Sequence, residues 1–148
     1  MDSKELTIII VTFKSEEKIF TCLKSISDET PVIVVENSKN EKFKNKIENI
    51  HNNVNCILTG ENQGYSIANN IGLNLVKTKF ALVLNPDTIL DKEAINNFFI
   101  TSDKIKDFWL VGPANDQMKN LDFNENNLKK VNNINGFAMF FNMAKFNK

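Results

Sequence analysis

Carboxylates, carboxamides and hydroxyls gather where four short apolar runs of this chain end. Thr12, Phe13 and Lys14 follow the first run, Glu36, Asn37 and Ser38 the second, Glu61-Asn62-Gln63-Gly64 the third, and Asn85, Pro86 and Asp87 the fourth. Such a set can hold a polar ligand by hydrogen bonds and a hard divalent cation by its carboxylates. Asp87 has the best place for the cation: it sits on a tight turn after the most apolar run, with Pro86 fixing the backbone. A Mg2+ or Mn2+ ion needs only one or two protein carboxylates when phosphate oxygens and waters complete its shell. Asn-Pro-Asp-Thr is also a common turn composition in which the Asp side chain bonds backbone N–H groups, and residue types alone leave both readings open.

The elements that must position these groups are legible from periodicity. Leu6–Thr12, Val32–Glu36, Val54–Leu58 and Lys79–Leu84 are continuous apolar runs, as expected of strands buried on both faces. Between them lie helical spacings. Ser15 is placed to cap a helix with Ile19, Phe20, Leu23 and Ile26 on one face. Phe43, Ile47 and Ile50 stripe a Lys-rich helix from Glu41 to His51, whose end leaves His51 in solvent. Tyr65–Val76 presents Ile67, Ala68, Ile71 and Leu75 inward, and Asp91 can cap a helix through Phe99. Phe108–Val111 and Val131–Phe141 read as further strands, with a polar loop over Gly112–Leu128. This alternation predicts an α/β fold: three layers, α/β/α, around a mainly parallel sheet. In such a sheet the ligand lies beyond the carboxyl ends of the strands, where the polar groups above converge.

The composition narrows the chemistry. With 148 residues, 42% of them apolar and only 3 Pro and 5 Gly, the chain forms one domain. All 18 basic residues are Lys, balanced by 18 acidic ones, and 24 residues are Asn. No basic block suggests a nucleic-acid partner. With no Arg, any phosphate must be held by Lys, backbone N–H groups, helix N-termini or a metal. Cys22 and Cys56 show no metal or redox spacing and read as reduced, buried thiols of a cytosolic protein. No apolar run approaches the roughly 20 residues of a membrane span. Glu36 lies where a dehydrogenase would grip a ribose, but Phe-Lys-Ser-Glu-Glu after the first strand lacks the glycines that admit a pyrophosphate, and no Walker-type loop exists. A receiver domain would need acidic residues where Thr12-Phe13 stands.

Four segments together resemble the family 2 glycosyltransferases of GT-A fold, especially their rhamnosyltransferase-like branch. Thr7–Phe13 (Thr-Ile-Ile-Ile-Val-Thr-Phe) looks like that family's opening strand, and Val34–Ser38 (Val-Val-Glu-Asn-Ser) like its Val-Val-Asp-Asn-x-Ser segment. Glu61–Gly72 looks like its Glu-Asn-x-Gly-Phe-x-x-x-Asn-Asn-x-Gly stretch, and Leu82–Leu90 like its Leu-Asn-Pro-Asp-x-x-Leu variant of the Asp-x-Asp metal motif. A fainter echo, Asn-Gly-Phe-Ala-Met-Phe-Phe within Asn135–Phe146, resembles the strand before the acceptor site.

The resemblance implies a single GT-A-like domain, with residues 1–90 the nucleotide-sugar-binding half and 91–148 a partial acceptor half. It implies that Thr12 and Phe13 flank the nucleobase, and that Glu36, in place of the usual Asp, accepts from base or ribose with Asn37 and Ser38 beside it. Asn62, Gly64 and Asn69 would lie along the donor pocket, Asn85 near the ribose, and Asp87 on a Mg2+ or Mn2+ ion bridging the diphosphate. The implied donor is a UDP- or dTDP-sugar and the implied acceptor a glycan or lipid-linked acceptor, in cytoplasmic polysaccharide biosynthesis at the inner face of the membrane. Inverting transfer needs a general base, carried in the family by a Glu-Asp-x-Asp-like segment that this sequence lacks. Asp103, Asp107, Asp116 and Asp122 do not stand in that context, so no catalytic base is assigned. The alternative is a non-catalytic or partner-dependent nucleotide-sugar-binding module. The apolar run Phe137–Phe141, read as an exposed strand, would be covered in a homo-oligomer or by a missing C-terminal partner.

Overall fold

The structure, a computed structural model, describes residues 3–114 and 128–146. After a single 3-10 turn (Ser3–Glu5), the chain alternates strand and helix: β1 Leu6–Thr12, α1 Glu16–Lys24, β2 Val32–Glu36, α2 Glu41–Ile50, β3 Val54–Leu58, α3 Tyr65–Asn74, β4 Phe80–Leu84 and α4 Ala94–Lys104. Then come β5 Leu110–Val111, β6 Ala138–Asn142 and the short α5 Met143–Phe146. Six strands form one sheet in the order β3-β2-β1-β4-β6-β5. β1 to β4 are mutually parallel, whereas β6 runs antiparallel to both β4 and β5.

That order creates a divide beside β1. The chain first builds outward through β2 and β3, then returns to lay β4 on the opposite edge of β1. Connections leaving β1 and β4 therefore part in opposite directions, which opens a crevice at their carboxyl ends. The register aligns the rim: Thr12 pairs with Glu36 and Glu36 with Leu58, while β4 ends at Leu84, opposite Ile10.

Both faces of the sheet are covered, as the unbroken apolar runs require. On one face Ile8, Ile10, Val34, Leu82 and Leu84 pack with Ile19 and Leu23 of α1, Phe43 and Ile47 of α2, and Phe98 and Phe99 of α4. On the other, Ile9, Val11, Ile33, Val35, Ala81 and Val83 meet Ala68, Leu73 and Val76. β3 is an edge strand, and α2 closes it. Lys44 Nζ donates to the Cys56 carbonyl (2.7 Å) and Glu48 Oε1 accepts from the Cys56 N–H (2.8 Å), so one rung of the open edge is no template for another chain. Both thiols are free and buried, and burial pushes Cys22 up to about 11 and Cys56 up to about 12.

Several expectations are corrected. The last strand begins at Ala138, not Val131; residues 131–137 lie outside it. Nor is Phe137–Phe141 an exposed strand: β6 is internal, between β4 and β5, and Phe140 is fully buried. Its ring stacks 4.9 Å from Phe80 and 5.0 Å from Phe98, Met139 and Phe141 are half-buried, and Phe137 is exposed. α3 turns inward only part of the face expected: Ala68 is buried and Ile71 packs against the core. Ile67 and Leu75 are exposed, and Ala68, Asn69, Gly72 and Leu73 are buried, because this small-residue face lets the helix approach the sheet most closely.

Two caps also differ. Ser15 stands at the start of α1, but its hydroxyl donates to Phe13 O (3.0 Å) and caps no N–H. Glu93, not Asp91, precedes the first residue of α4, which runs on to Lys104; Asp91 instead accepts from Glu93 N. His51 is not simply solvated, since its ring stacks on Phe20 at 6.2 Å. Of the expected polar loop, residues 115–127 lie outside the described ones, Asp116 and Asp122 among them.

Candidate functional site

A cleft of about 620 Å3 lies at the divide between β1 and β4. The β1–α1 turn contributes Phe13, Ser15 and Lys18; the β4 turn contributes Asn85, Pro86 and Asp87. Asn37, Asn62, Gly64 and Tyr65 form a second wall, and Gly136 and Phe137 close the far side.

The β1–α1 turn is sharp because Lys14 adopts φ +53°, a left-handed conformation uncommon for a residue with a side chain. It leaves Phe13 38% exposed on the cleft, with the Lys14 ammonium 5.3 Å from the ring centre. Across the cleft, the Asn85-Pro86-Asp87-Thr88 turn is closed by backbone alone, Thr88 N donating to Asn85 O at 3.1 Å. Asp87 is therefore not engaged in its own turn. Its carboxylate is 56% exposed and faces Lys18 Nζ at 3.8 Å, which removes the reading of Asp87 as a mere turn residue.

Asn37 organises the second wall. It is 2% exposed, and its amide donates to Asn62 Oδ1 (2.9 Å) while its carbonyl accepts from Gln63 N (2.9 Å) and Thr59 Oγ1 (3.2 Å). Asn62 Oδ1 also accepts from Gly64 N (3.0 Å). The β3–α3 turn is thus tied to the end of β2 by two carboxamides. Gly64 enters α3 at φ +78° and ψ 168°, a backbone region that other residues adopt only with strain.

Thr12, Glu36, Ser38 and Asn69 do not line the cleft. Glu36 is 2% exposed, with Ser38 Oγ at 2.9 and 2.8 Å from its two oxygens and Asn40 N donating at 3.3 Å. Asn69 donates to Tyr65 O (3.0 Å) one turn back in α3. Thr12 Oγ1 and Asn69 Oδ1 are buried with no hydrogen-bond partner. The sequence-derived set thus divides into Phe13, Asn37, Asn62, Gly64, Asn85 and Asp87 on the cleft and four residues packed behind it.

Among the lining residues outside that set, Tyr65 and Lys18 carry the chemistry it missed. Tyr65 Oη lies 3.1 Å from Asn85 Oδ1 and 2.9 Å from Gly136 O, so its one proton joins α3 to the end of β4 or to the segment before β6. Burial pushes its pKa up. Lys18 was hidden in the polar face of α1; the signal for it was its position in the first turn beyond the rim, as the lone cation there. Behind Asn85, Cys22 Sγ points at the Asn85 carbonyl (3.8 Å), and Asp87 adds to burial in raising that thiol.

The sequence profile of glycosyl transferase family 2 matches residues 7–143. The chain belongs to glycosyl transferase family 2. Over 99 residues, 64% of this chain, it is 36% identical to the low-salt glycan biosynthesis hexosyltransferase Agl10 of Haloferax volcanii, and it spans 32% of that protein's length. Among solved structures, the mannosyltransferase PcManGT of Pyrobaculum calidifontis, in complex with GDP-Man and Mn2+, superposes with a TM-score of 0.78 at 15% identity. The match covers 93% of this chain and 44% of that one. TarS from S. aureus in complex with UDP-GlcNAc gives 0.74 at 18% identity, over 97% and 47%. The mostly parallel sheet with helices on both faces is accordingly the GT-A fold, and the chain spans less than half the length of each of these relatives. No helix among the described residues is long and apolar enough to cross a membrane.

Proposed function

We propose that the cleft beside β1 takes the nucleotide-diphosphate sugar of a glycosyltransferase. The observation that carries this reading is the placement of Asp87, a carboxylate free of its own turn, across the divide from the exposed Phe13 ring. Support comes from two relatives of the same fold whose complexes hold GDP-Man with Mn2+ and UDP-GlcNAc.

Phe13 offers a flat apolar surface against which a nucleobase stacks. Asn62 and Asn85 present amide groups at the rim for base and ribose, Asn37 holds Asn62 in place, and Glu36, Ser38, Thr12 and Asn69 hold that rim from behind. Among the described residues no three His, Cys, Asp or Glu cluster. One exposed carboxylate with no backbone partner nevertheless suits a hard ion that completes its shell with phosphate oxygens and waters. Asp87 would hold the Mg2+ or Mn2+ that neutralises the departing diphosphate. Among the described residues Asp87 is the single carboxylate lining the cleft, so the reading concerns the donor half of the reaction. The donor is a UDP- or dTDP-sugar, and transfer proceeds with inversion onto a glycan or lipid-linked acceptor.

The test is Asp87→Ala. Its side chain is more than half exposed, so the melting temperature should stay within about 1–2 °C, the scale of a neutral surface substitution. Mn2+-dependent binding of UDP, measured by calorimetry, should disappear. Undiminished Mn2+-dependent binding in that variant would place the ion elsewhere.

A further inference from the structure

We propose that Lys18 is a second cation of the donor site: it occupies the Asp87 carboxylate while the cleft is empty and moves onto the diphosphate when a metal ion takes its place. The inference rests on the donor-site reading above and extends it to a residue that reading does not use.

Among the described residues Lys18 is the one cation lining the cleft. It belongs to the first turn of α1, which also carries Glu16 and Glu17. Glu16 is turned away, accepting from Asn40 Nδ2 at 3.1 Å, so it does not neutralise Lys18. The partner Lys18 has is Asp87, and the contact is loose: 3.8 Å between Nζ and Oδ2, with the two side chains 66% and 56% exposed. A pair so long and so hydrated holds weakly. A divalent ion brings twice the charge and bonds carboxylate oxygen directly at about 2.0–2.2 Å, so it displaces an ammonium from that oxygen. The displaced ammonium remains on a flexible four-carbon stem rooted at the cleft wall. The chain contains no Arg, so a diphosphate in this cleft has no guanidinium to meet. A freed Lys18, a cation lining the cleft, is a compensating charge there, and it forms charge-assisted hydrogen bonds to phosphate oxygens.

The same two charges therefore act in opposition without a ligand and in concert with one. Lys18 competes with the metal for Asp87 when no diphosphate is present, and joins the metal in holding the diphosphate when one is.

The experiment measures two equilibria on the full chain by calorimetry: Mn2+ alone, and inorganic pyrophosphate in EDTA. Lys18→Gln should bind Mn2+ about two- to five-fold more tightly, having lost a weak competitor, and bind pyrophosphate at least about ten-fold more weakly, having lost a charge-assisted contact. Lys18→Arg should keep pyrophosphate affinity. Asp87→Asn should lose Mn2+ binding yet retain or improve pyrophosphate binding in EDTA, because Lys18 is then released. If wild type binds both ligands and Lys18→Gln binds pyrophosphate as tightly as wild type, or Mn2+ more weakly, the inference is overturned while the donor site stands. If wild type binds neither ligand, the donor-site reading itself fails and takes this one with it.

Discussion

A carboxylate can serve a ligand or serve the loop that presents the ligand's site, and Glu36 and Asp87 divide along that line. Glu36 is the last residue of β2 and Asp87 stands in the turn after β4, and the sequence placed both on the ligand, Glu36 on base or ribose and Asp87 on the metal. Asp87 is over half exposed with a loose cationic neighbour, whereas Glu36 is buried and held by Ser38 Oγ and Asn40 N. Asn40 in turn caps α2, accepting from Phe43 N at 3.0 Å. Glu36→Ala would leave the Ser38 hydroxyl and Asn40 N–H without their acceptor in a buried place, and should cost about 1–3 kcal/mol in urea denaturation. Glu36→Gln, which keeps one carbonyl acceptor, should recover part of that loss. An unchanged urea midpoint in the Ala variant combined with weaker nucleoside binding would put Glu36 on the ligand instead. The residue types at the rim were thus readable in sequence, because polar groups after apolar strands must lie at a sheet edge. Their division into cleft and support was not, because it depends on which face of the strand each side chain leaves.

Elements set that face, and α3 shows how. The spacing predicted Ile67, Ala68, Ile71 and Leu75 inward; Ala68 and Ile71 do pack inward, but Ile67 and Leu75 face solvent and Asn69, Gly72 and Leu73 are buried instead. A Cβ at Gly72 would stand 2.5 Å from Ile9 Cγ2 and 3.3 Å from Val35 Cγ2, so the helix rests on β1 and β2 with no room for a methyl group. Close approach here turns Tyr65, at the start of the helix, toward Asn85 and Gly136, which couples packing to the shape of the cleft. Overpacking costs about 1–3 kcal/mol, and the better helix propensity of Ala returns a little under 1 kcal/mol. Gly72→Ala should therefore destabilise by up to about 2 kcal/mol net in chemical denaturation. Ile67→Lys, on the solvent side, should stay within about 0.5 kcal/mol; a loss of several kcal/mol there would mean Ile67 is packed after all. Strands β1 to β4 were legible because parallel strands buried on both faces must be continuously apolar. β6 was drawn too long because the apolar Val131 and Ile134 extended the pattern past Asn135-Gly136, the turn that marks where pairing to β4 begins.

At the scale of the whole molecule, the cleft is a seam between parts of the chain far apart in sequence. β1 and α1, the turn before α3, the end of β4 and the residues before β6 each contribute one wall. The antiparallel β6 that supplies the last wall was the least legible part of the architecture, since a strand's direction depends on a connection whose path periodicity does not encode. With 18 basic and 18 acidic residues, the chain has no net field to draw in an anion, so diphosphate affinity must come from the groups at the seam. A ligand that touches every wall binds only the folded chain, and stabilises it by RT ln(1 + [L]/Kd), about 2.7 kcal/mol at a hundred-fold excess over Kd. For a chain of this length that raises the melting temperature by roughly 5–11 °C. UDP or dTDP with Mn2+ should give a shift of that size in a thermal melt, EDTA should shrink it, and Asp87→Ala should remove its metal-dependent part. Free uridine, which has no diphosphate to join the two sides of the seam, should shift it far less. Equal shifts with uridine and UDP would mean that the β4 side of the seam takes no part in binding, and that the ligand rests on the Phe13 and Asn37 walls alone.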